Sequence, residues 1–237
     1  MKKIFVFLLF VFLLTGCSKS DNELVMVTEA GFAPYEYYDD GNIVGVDVDI
    51  AEEIAKKMGK ELVIKDVAFD SIINEVKSGK SDFGAAGISY NEEREKEVDF
   101  SINYTTSKQV VVIKKDSGIT IDNLDGKKIS VQLGSIGDSY VTDNYKNSTI
   151  VRQKKYLQAI EDLKSDKVDC VVMDELPALE FVKVNEELIV LDKELTSDSY
   201  GMIVKKGNNE LLNTINEVLN ELKDNGKIDE FIINHTK

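Results

Sequence analysis

Arginine is scarce in this sequence, which makes each arginine a candidate for specific chemistry. Only two arginines, Arg94 and Arg152, occur among its 29 Lys and Arg residues. A guanidinium presents a planar fork that binds both oxygens of a carboxylate. Arg94 is therefore a candidate for binding a carboxylate ligand. Alternatively, it balances the neighbouring Glu92, Glu93 and Glu95 on a solvated helix surface.

An acidic side chain follows the apolar segment 170–173 directly. Such a segment predicts a buried strand, and its next residue is Asp174. A carboxylate at the C-terminal end of a strand faces the crevice in which open α/β sheets bind ligands. Alternatively, Asp174 caps the helix that begins near Glu175.

Several classes of function are disfavoured by composition. The single histidine, His235, lies two residues from the C-terminus, which argues against Ser-His-Asp or Cys-His catalysis and against a histidine-rich metal site. The sequence has neither a G-x-x-x-x-G-K-[ST] nor a G-x-G-x-x-G motif, so we expect no nucleotide cofactor. A formal net charge of −14 disfavours nucleic acid as a partner. We expect no metal and no cofactor.

The N-terminus is typical of a secretion signal. Lys2 and Lys3 precede an apolar run, residues 4–14, that is too short to span a bilayer. The tetrapeptide Leu-Thr-Gly-Cys that ends at Cys17 resembles the bacterial lipoprotein signal. This predicts cleavage of residues 1–16, lipids on Cys17 and a lipidated tether over residues 17–23. Alternatively, residues 1–16 form an ordinary signal peptide and the cysteine is there by chance.

Apolar segments alternate with amphipathic ones along the rest of the chain. This pattern predicts an α/β protein with mainly parallel sheets. Asp47 is predicted to cap the first helix and Gly59 to end it, and Asn91 is predicted to cap a short helix. The other cysteine, Cys170, is predicted to be a buried thiol. Predicted strands are 24–28, 62–64, 82–86, 104–115, 128–132, 149–152, 169–173, 188–191 and 200–205, and predicted helices are 47–58, 70–77, 91–97, 138–145, 157–164, 177–184, 210–223 and 228–234.

A series of short motifs extends over essentially the whole mature chain. The first two are Phe-Ala-Pro-Tyr-Glu-Tyr at 32–37 and Gly-Val-Asp-Val-Asp-Ile-Ala at 45–51. Others lie at 69–73, 78–82, 86–89, 93–94, 98–101, 125–128, 131–135, 168–169, 173–174 and 200–201. In their order and spacing these motifs resemble the polar amino-acid substrate-binding proteins of ABC importers, bacterial extracellular solute-binding protein family 3.

The resemblance implies the type II periplasmic-binding-protein fold. In that fold two α/β lobes are joined by two crossing strands, and the ligand lies in the cleft between the lobes. Lobe 1 is expected to comprise residues 24–107 and 198–237, and lobe 2 residues 108–197. The implied function is capture of a polar or basic L-amino acid outside the cytoplasm and delivery to the permease subunits of an ABC importer by lobe closure. We expect a monomer anchored to the cell membrane at Cys17, and not an enzyme.

An amino-acid ligand must find partners for two opposite charges, because burial of either one unpaired costs several kcal/mol. The resemblance assigns the ligand carboxylate to Arg94, with Gly87 and Ser89 beside it. It assigns the ammonium to Asp174. Ala86 and Ser89 are expected to complete this shell.

The ligand side chain is expected to lie between the rings of Phe32 and Phe69, although phenylalanines near strand ends are also typical of core. Glu29 is expected to receive an amide or a cationic group; alternatively, it is a solvent-exposed loop charge. Gln132 and Ser135 are expected to close over the ligand from lobe 2. Met173 is expected to line the pocket beside Asp174.

Two other functions remain open at this stage. An enzyme of the same fold, similar to cyclohexadienyl dehydratases, would use paired carboxylates such as Glu29 and Asp174 as acid and base. A receptor's sensor module is the other, although no transmembrane helix or signalling domain follows Lys237. Glu29 and the aromatic pair favour arginine, lysine or histidine as ligand, with glutamine and cystine as alternatives.

Overall fold

Strands and helices alternate throughout residues 22–236, which are the residues that the computed structural model describes. The strands are β1 (Glu23–Thr28), β2 (Tyr37–Asp39), β3 (Asn42–Val44), β4 (Glu61–Asp66), β5 (Phe83–Gly84), β6 (Val98–Phe100), β7 (Thr105–Lys114), β8 (Lys128–Gln132), β9 (Thr149–Gln153), β10 (Cys170–Asp174), β11 (Leu188–Val190), β12 (Thr196–Tyr200) and β13 (Ile203–Lys205). The helices are α1 (Val46–Met58), α2 (Ile72–Lys77), α3 (Glu92–Glu95), α4 (Ile136–Asn144), α5 (Tyr156–Lys164), α6 (Glu175–Lys183), α7 (Asn209–Asp224) and α8 (Lys227–His235). Every predicted helix and strand has a counterpart, whereas the β2–β3 hairpin and β6 were not predicted.

The strands form two sheets and one hairpin. The first sheet has the order β4-β1-β5-β13-β6, and the second has the order β11-β7-β10-β8-β9 with β12 also paired to β7. We call the first sheet with α1, α2, α3, α7 and α8 lobe 1, and the second sheet with α4, α5 and α6 lobe 2. The α/β class is confirmed, but the expectation of mainly parallel sheets is wrong. β7 and β13 enter their sheets from the other lobe and run antiparallel to their neighbours.

Two chain crossings join the lobes and are bonded to each other. The segment 101–104 leads from β6 to β7, and Gly201 with Met202 leads back from β12 to β13. Ser101 N–H donates to Met202 O (2.8 Å), and Tyr104 N–H donates to Tyr200 O (3.0 Å). The predicted strand 200–205 is therefore two strands, because the chain changes sheets at Gly201.

Helix α1 begins differently from the prediction. It starts at Val46 after Gly45, and Asp47 is fully buried inside its first turn. The Asp47 carboxylate instead accepts hydrogen bonds from Tyr104 O–H (2.6 Å) and Gly87 N–H (3.0 Å). It thereby ties α1 to a crossing segment and to the loop after β5, so the predicted capping role is wrong.

Two other predicted helix ends are confirmed. Gly59 ends α1 in the left-handed conformation with φ 64°. The Asn91 side chain accepts a hydrogen bond from Arg94 N–H at 2.8 Å, which caps α3.

The described residues contain a buried free thiol at Cys170, as predicted. Burial raises the pKa of this thiol to about 12. Within residues 22–236 no helix combines the length and hydrophobicity needed to cross a membrane. The predicted signal peptide, the lipidated Cys17 and residues 17–21 of the predicted tether lie outside the described residues.

Gly45 is predicted to be indispensable to the start of α1. Its φ is 135°, and an added Cβ would lie 2.2 Å from Tyr35 O. We expect Gly45→Ala to lower the free energy of unfolding by about 3 kcal/mol in urea titrations, because the backbone must move. Gly118→Ala is the control: φ is +66°, no atom lies within 4 Å of the added carbon, and we expect about 1 kcal/mol. Equal effects of the two substitutions would contradict this account.

Candidate ligand-binding site

A small cavity lies between the lobes. Residues from the C-terminal ends of several strands reach it, including Glu29 after β1, Gln132 at the end of β8 and Asp174 at the end of β10. This is where open α/β sheets bind ligands. The lining residues are Glu29, Phe32, Glu36, Phe69, Ala86, Gly87, Ser89, Arg94, Gln109, Gln132, Ser135, Ile136, Tyr156 and Asp174.

Ten of the eleven predicted ligand-binding residues line this cavity, and Met173 is the exception. Met173 is fully buried in a hydrophobic cluster that also contains Val171. Alternate side chains of a strand point to opposite faces, so Met173 cannot share the face of its neighbour Asp174. Its predicted place in the pocket is therefore corrected. Ligand contact by the other ten residues stays a prediction.

Arg94 is a buried cation that forms no direct ion pair with an acid of the described residues. Only 8% of it is exposed, and its guanidinium donates to Ser89 O (2.6 Å) and to Gly134 O of lobe 2 (2.8 Å). Its Cζ lies 5.5 Å from the centre of the Phe69 ring. Among residues 22–236, no carboxylate forms an ion pair with this guanidinium, so Arg94 does not balance the glutamates of α3.

Burial lowers the pKa of Arg94 from its usual value, although the charges of Asp198 and Asp174 act in the opposite direction. A negatively charged ligand group would offset the cost of burying the Arg94 charge, because a charge-assisted hydrogen bond is strongest in a buried site.

Asp174 places a carboxylate on the opposite side of the site, in lobe 2. Its Oδ1 accepts hydrogen bonds from Ser107 O–H (2.9 Å) and Tyr200 O–H (2.5 Å), both on the crossing strands. It occupies the position before α6, but its side chain makes no capping hydrogen bond. Burial raises the pKa of Asp174, and the Tyr200 hydrogen bond lowers it. The carboxylate is thus fixed in place and available to a cation.

A second acid, Asp198, stands close to Asp174 and was not predicted from the sequence. It lies on β12 opposite Ser107 of β7, and the Gln109 side-chain amide donates to it at 3.1 Å. Burial, followed by the neighbouring Asp174 charge, raises the pKa of Asp198 to about 6. Only the pairing of β7 with β12 brings these residues together.

Glu29 is not the exposed loop charge that was considered as an alternative, because it is 1% exposed. Its Oε1 lies 3.0 Å from Lys155 Nζ, and its Oε2 accepts a hydrogen bond from Gln132 Nε2 at 3.0 Å. Burial raises the pKa of Glu29, while Lys155 lowers it. Lys155, like Asp198, was missed by the sequence prediction.

Glu36 is another acid at the cavity, and it too was not predicted. It is 1% exposed, and neither of its carboxyl oxygens has a hydrogen-bond partner that meets ordinary criteria among the described residues. Burial raises the pKa of Glu36 well above its usual range, and the adjacent Asp47 charge adds to this. Burial thus favours the uncharged form of Glu36 in the cavity wall.

The aromatic rings of the site form a stack rather than an isolated pair. Phe32 packs on Tyr156 from lobe 2 (5.8 Å between ring centres, 22° between planes) and on Tyr35 (5.9 Å). A Cβ on Gly87 would lie 2.6 Å from the Phe32 ring, so this position requires glycine. Phe69 packs under Arg94, and both predicted rings reach the cavity wall.

Ser135 combines a place in the cavity wall with a structural role. It is the N-cap of α4, and its hydroxyl oxygen accepts a hydrogen bond from Asp138 N–H at 3.1 Å. Across residues 22–236, no cluster of three or more His, Cys, Asp or Glu residues is arranged to hold a metal ion.

Two family models match the chain. The model described as bacterial extracellular solute-binding proteins, family 3, matches residues 24–235. The model described as prokaryotic membrane lipoprotein lipid attachment site matches residues 1–18.

Individual proteins are similar over nearly the whole length. The arginine-binding extracellular protein ArtP of Bacillus subtilis is 34% identical over 92% of this chain and 91% of its own. The substrate-binding protein AbpA of Streptococcus pneumoniae, solved with L-arginine, is 35% identical with a TM-score of 0.87, covering 91% of this chain and 94% of that one. An ancestral arginine-binding protein solved with glutamine is 38% identical with a TM-score of 0.84, covering 90% and 97%.

The raised pKa of Asp198 predicts a pH-dependent stability of the ligand-free protein. A carboxyl group whose pKa is raised on folding stabilises the fold at low pH, and this contribution is lost as pH rises through about 6. We expect Asp198→Asn to raise the free energy of unfolding at pH 7.5 by about 1 to 2 kcal/mol, with little change at pH 4. Urea titrations at both pH values test this. The exposed Asp143→Asn is the control; an equal effect at both pH values would refute the assignment.

Proposed function

This chain belongs to the bacterial extracellular solute-binding proteins, family 3, and from that premise we propose that it captures a polar or basic L-amino acid outside the cytoplasm and delivers it to an ABC importer. Both resemblances noted in the sequence, to this family and to the lipoprotein signal, are confirmed by the family matches. The type II fold is likewise confirmed by the solved neighbours.

The observation that carries the proposal is the pair of opposite charges on the cavity wall. Arg94 of lobe 1 is buried without an acidic partner within the described part of the chain, and Asp174 of lobe 2 is held by two hydroxyl groups. An α-amino acid carries a carboxylate and an ammonium on one carbon atom. Such a ligand satisfies both groups at once, which a simple anion or cation does not.

We assign the ligand carboxylate to Arg94 with Gly87 and Ser89, and the ammonium to Asp174 with Ala86. Each charged hydrogen bond contributes about 1.5 to 3 kcal/mol. Three or four of them are sufficient for micromolar affinity, which corresponds to about −8.2 kcal/mol. Gln132 and Ser135 contact the ligand from lobe 2 in this assignment.

The side-chain end of the ligand faces Phe32, Phe69 and Glu29. Relatives named for arginine and a neighbour solved with glutamine support these two amino acids as the first candidates. Both present a planar nitrogen-bearing group that can lie against an aromatic ring and donate to a carboxylate.

Lobe closure follows from the division of the site. Arg94 and Asp174 belong to different lobes, so a ligand that bridges them stabilises only the closed arrangement. We propose that lobe 1 comprises residues 24–107 and 198–237 and that lobe 2 comprises residues 108–197. These bounds fall within β7 and β12 at the paired residues Ser107 and Asp198, which supports a hinge at this position.

The relatives reported above are binding proteins rather than enzymes. We propose the same for this chain, acting as a monomer with the permease subunits of an importer. A dehydratase would require an acid and a base free to exchange protons. Glu29 is instead engaged by Lys155 and Gln132, which disfavours that role.

We also propose that Cys17 carries the lipid anchor on the outer face of the cell membrane. Diacylation would supply the two chains that stable anchoring requires. Expression of Cys17→Ser in a bacterial host should move the protein from the membrane fraction to the soluble extracytoplasmic fraction. Ser18→Ala is the matched control and should remain membrane-bound. Membrane retention of the Cys17→Ser protein would refute the assignment.

The central test is a binding screen followed by removal of Arg94. A thermal-shift screen of the amino acids, with calorimetry on those that stabilise the protein, should identify at least one polar or basic ligand. Arg94→Ala should then weaken its binding by about 2 to 5 kcal/mol, because the ligand carboxylate loses its partner. Lys77→Ala, which removes an exposed cation of the same lobe, should leave binding unchanged. Unchanged affinity in Arg94→Ala would remove Arg94 from the site.

A further inference from the structure

Lys155 connects lobe 2 to two acidic groups of lobe 1 at the edge of the cavity. It is the residue immediately before α5, and its Nζ lies 3.0 Å from Glu29 Oε1 and 3.4 Å from Asp66 Oδ2. Gln132 Nε2, also from lobe 2, lies 3.0 Å from Glu29 Oε2. Both carboxylate oxygens of Glu29 are therefore in contact with lobe 2.

The Glu29 carboxylate requires such partners when the lobes are together. It is 1% exposed, and an unpaired carboxylate in that position is strongly unfavourable. Gln132 donates a neutral amide, so the compensating charge comes from Lys155. In the closed arrangement, the ionised form of Glu29 is stabilised by a cation from the protein or from the ligand, and without one burial favours its protonation.

Asp66 is a second ion-pair partner for the Lys155 ammonium. Asp66 is fixed by hydrogen bonds from Ala30 N–H (3.0 Å) and Tyr38 O–H (3.2 Å). The Lys155 side chain is 42% exposed. Its ammonium can therefore move away from Glu29 and still be paired with Asp66 and hydrated by solvent. A cationic ligand group can then take its place beside Glu29.

We propose that Lys155 is a specificity-determining residue that supplies the positive charge Glu29 needs when the bound amino acid has an uncharged side chain. One site thereby closes on both neutral polar and cationic amino acids. The inference rests on the proposed function, in which Arg94 and Asp174 hold the ligand's carboxylate and ammonium groups.

The charge balance at Glu29 predicts a change of selectivity in Lys155→Met. For neutral ligands, L-glutamine and L-citrulline, closure of this variant buries Glu29 without a cation, and binding should weaken about tenfold or more. L-Arginine differs from citrulline in carrying a charged guanidinium in place of a neutral urea group. It supplies its own cation, so its affinity should change less than about threefold. Isothermal calorimetry with the three ligands measures both effects.

Two further variants separate charge compensation from general damage. Lys164→Met, at the other end of α5, breaks an exposed ion pair with Glu161 (2.9 Å) and should leave all three affinities unchanged. In Glu29→Gln the acid that needs the cation is absent. Adding Lys155→Met to it should therefore alter glutamine and citrulline binding less than about threefold.

The outcomes distinguish this inference from the function on which it rests. If Lys155→Met weakened the binding of all three ligands equally, Lys155 would stabilise the contact between the lobes without affecting selectivity. That result would overturn the inference. Unchanged affinities, or a wild-type protein that binds arginine but neither neutral ligand, would also overturn it. A wild-type protein that binds no amino acid at all would instead refute the proposed function.

Discussion

The structure depends on the burial of one guanidinium between two lobes. Arg94 is held by the backbone oxygens of Ser89 and Gly134 and by the ring of Phe69, and no carboxylate in the described part of the chain forms a direct ion pair with it. Asp174, whose charge acts on Arg94 without touching it, belongs to the other lobe and is fixed by hydroxyl groups of the crossing strands. A zwitterion that joins these two groups converts an unfavourable charge distribution into a favourable one, and this difference is available only when the lobes meet.

The crossing strands therefore have two tasks. β7 and β12 are paired side by side and provide Ser107, Gln109, Asp198 and Tyr200, the residues that orient or adjoin Asp174. The same segments connect to lobe 1 through Tyr104, whose hydroxyl donates to Asp47. Asp47 in turn accepts a hydrogen bond from Gly87, a residue of the cavity wall. The hinge and both sides of the site thus belong to one continuous hydrogen-bonded network of buried polar groups.

Acidic groups outnumber basic ones around this cavity, and the negative charge of each acid is stabilised or suppressed in a different way. Burial raises the pKa of Glu36 well above its usual range, Glu29 is paired with Lys155, and Asp174 is stabilised by hydroxyl donors. Such differences arise from local partners and not from residue type, since all three side chains bear the same functional group. In the function that we propose, Asp174 binds the ligand ammonium, and Glu29 shares its charge between Lys155 and the ligand side chain.

The sequence by itself determined the local features of this protein. The alternation of apolar segments predicted the α/β elements, Asn91 and Gly59 predicted helix ends, and ordered motifs predicted the family and ten residues that reach the cavity. These signals lie within a few residues of each other, where periodicity and capping act. Only the tertiary structure decided that Lys155 and Asp198 adjoin the site, that Asp47 bonds to distant residues, and that Met173 faces the core. Each of these features depends on which strands are paired, on which face of a strand is buried, or on how the lobes meet. These contacts join residues that are far apart in the chain, so no local sequence pattern predicts them.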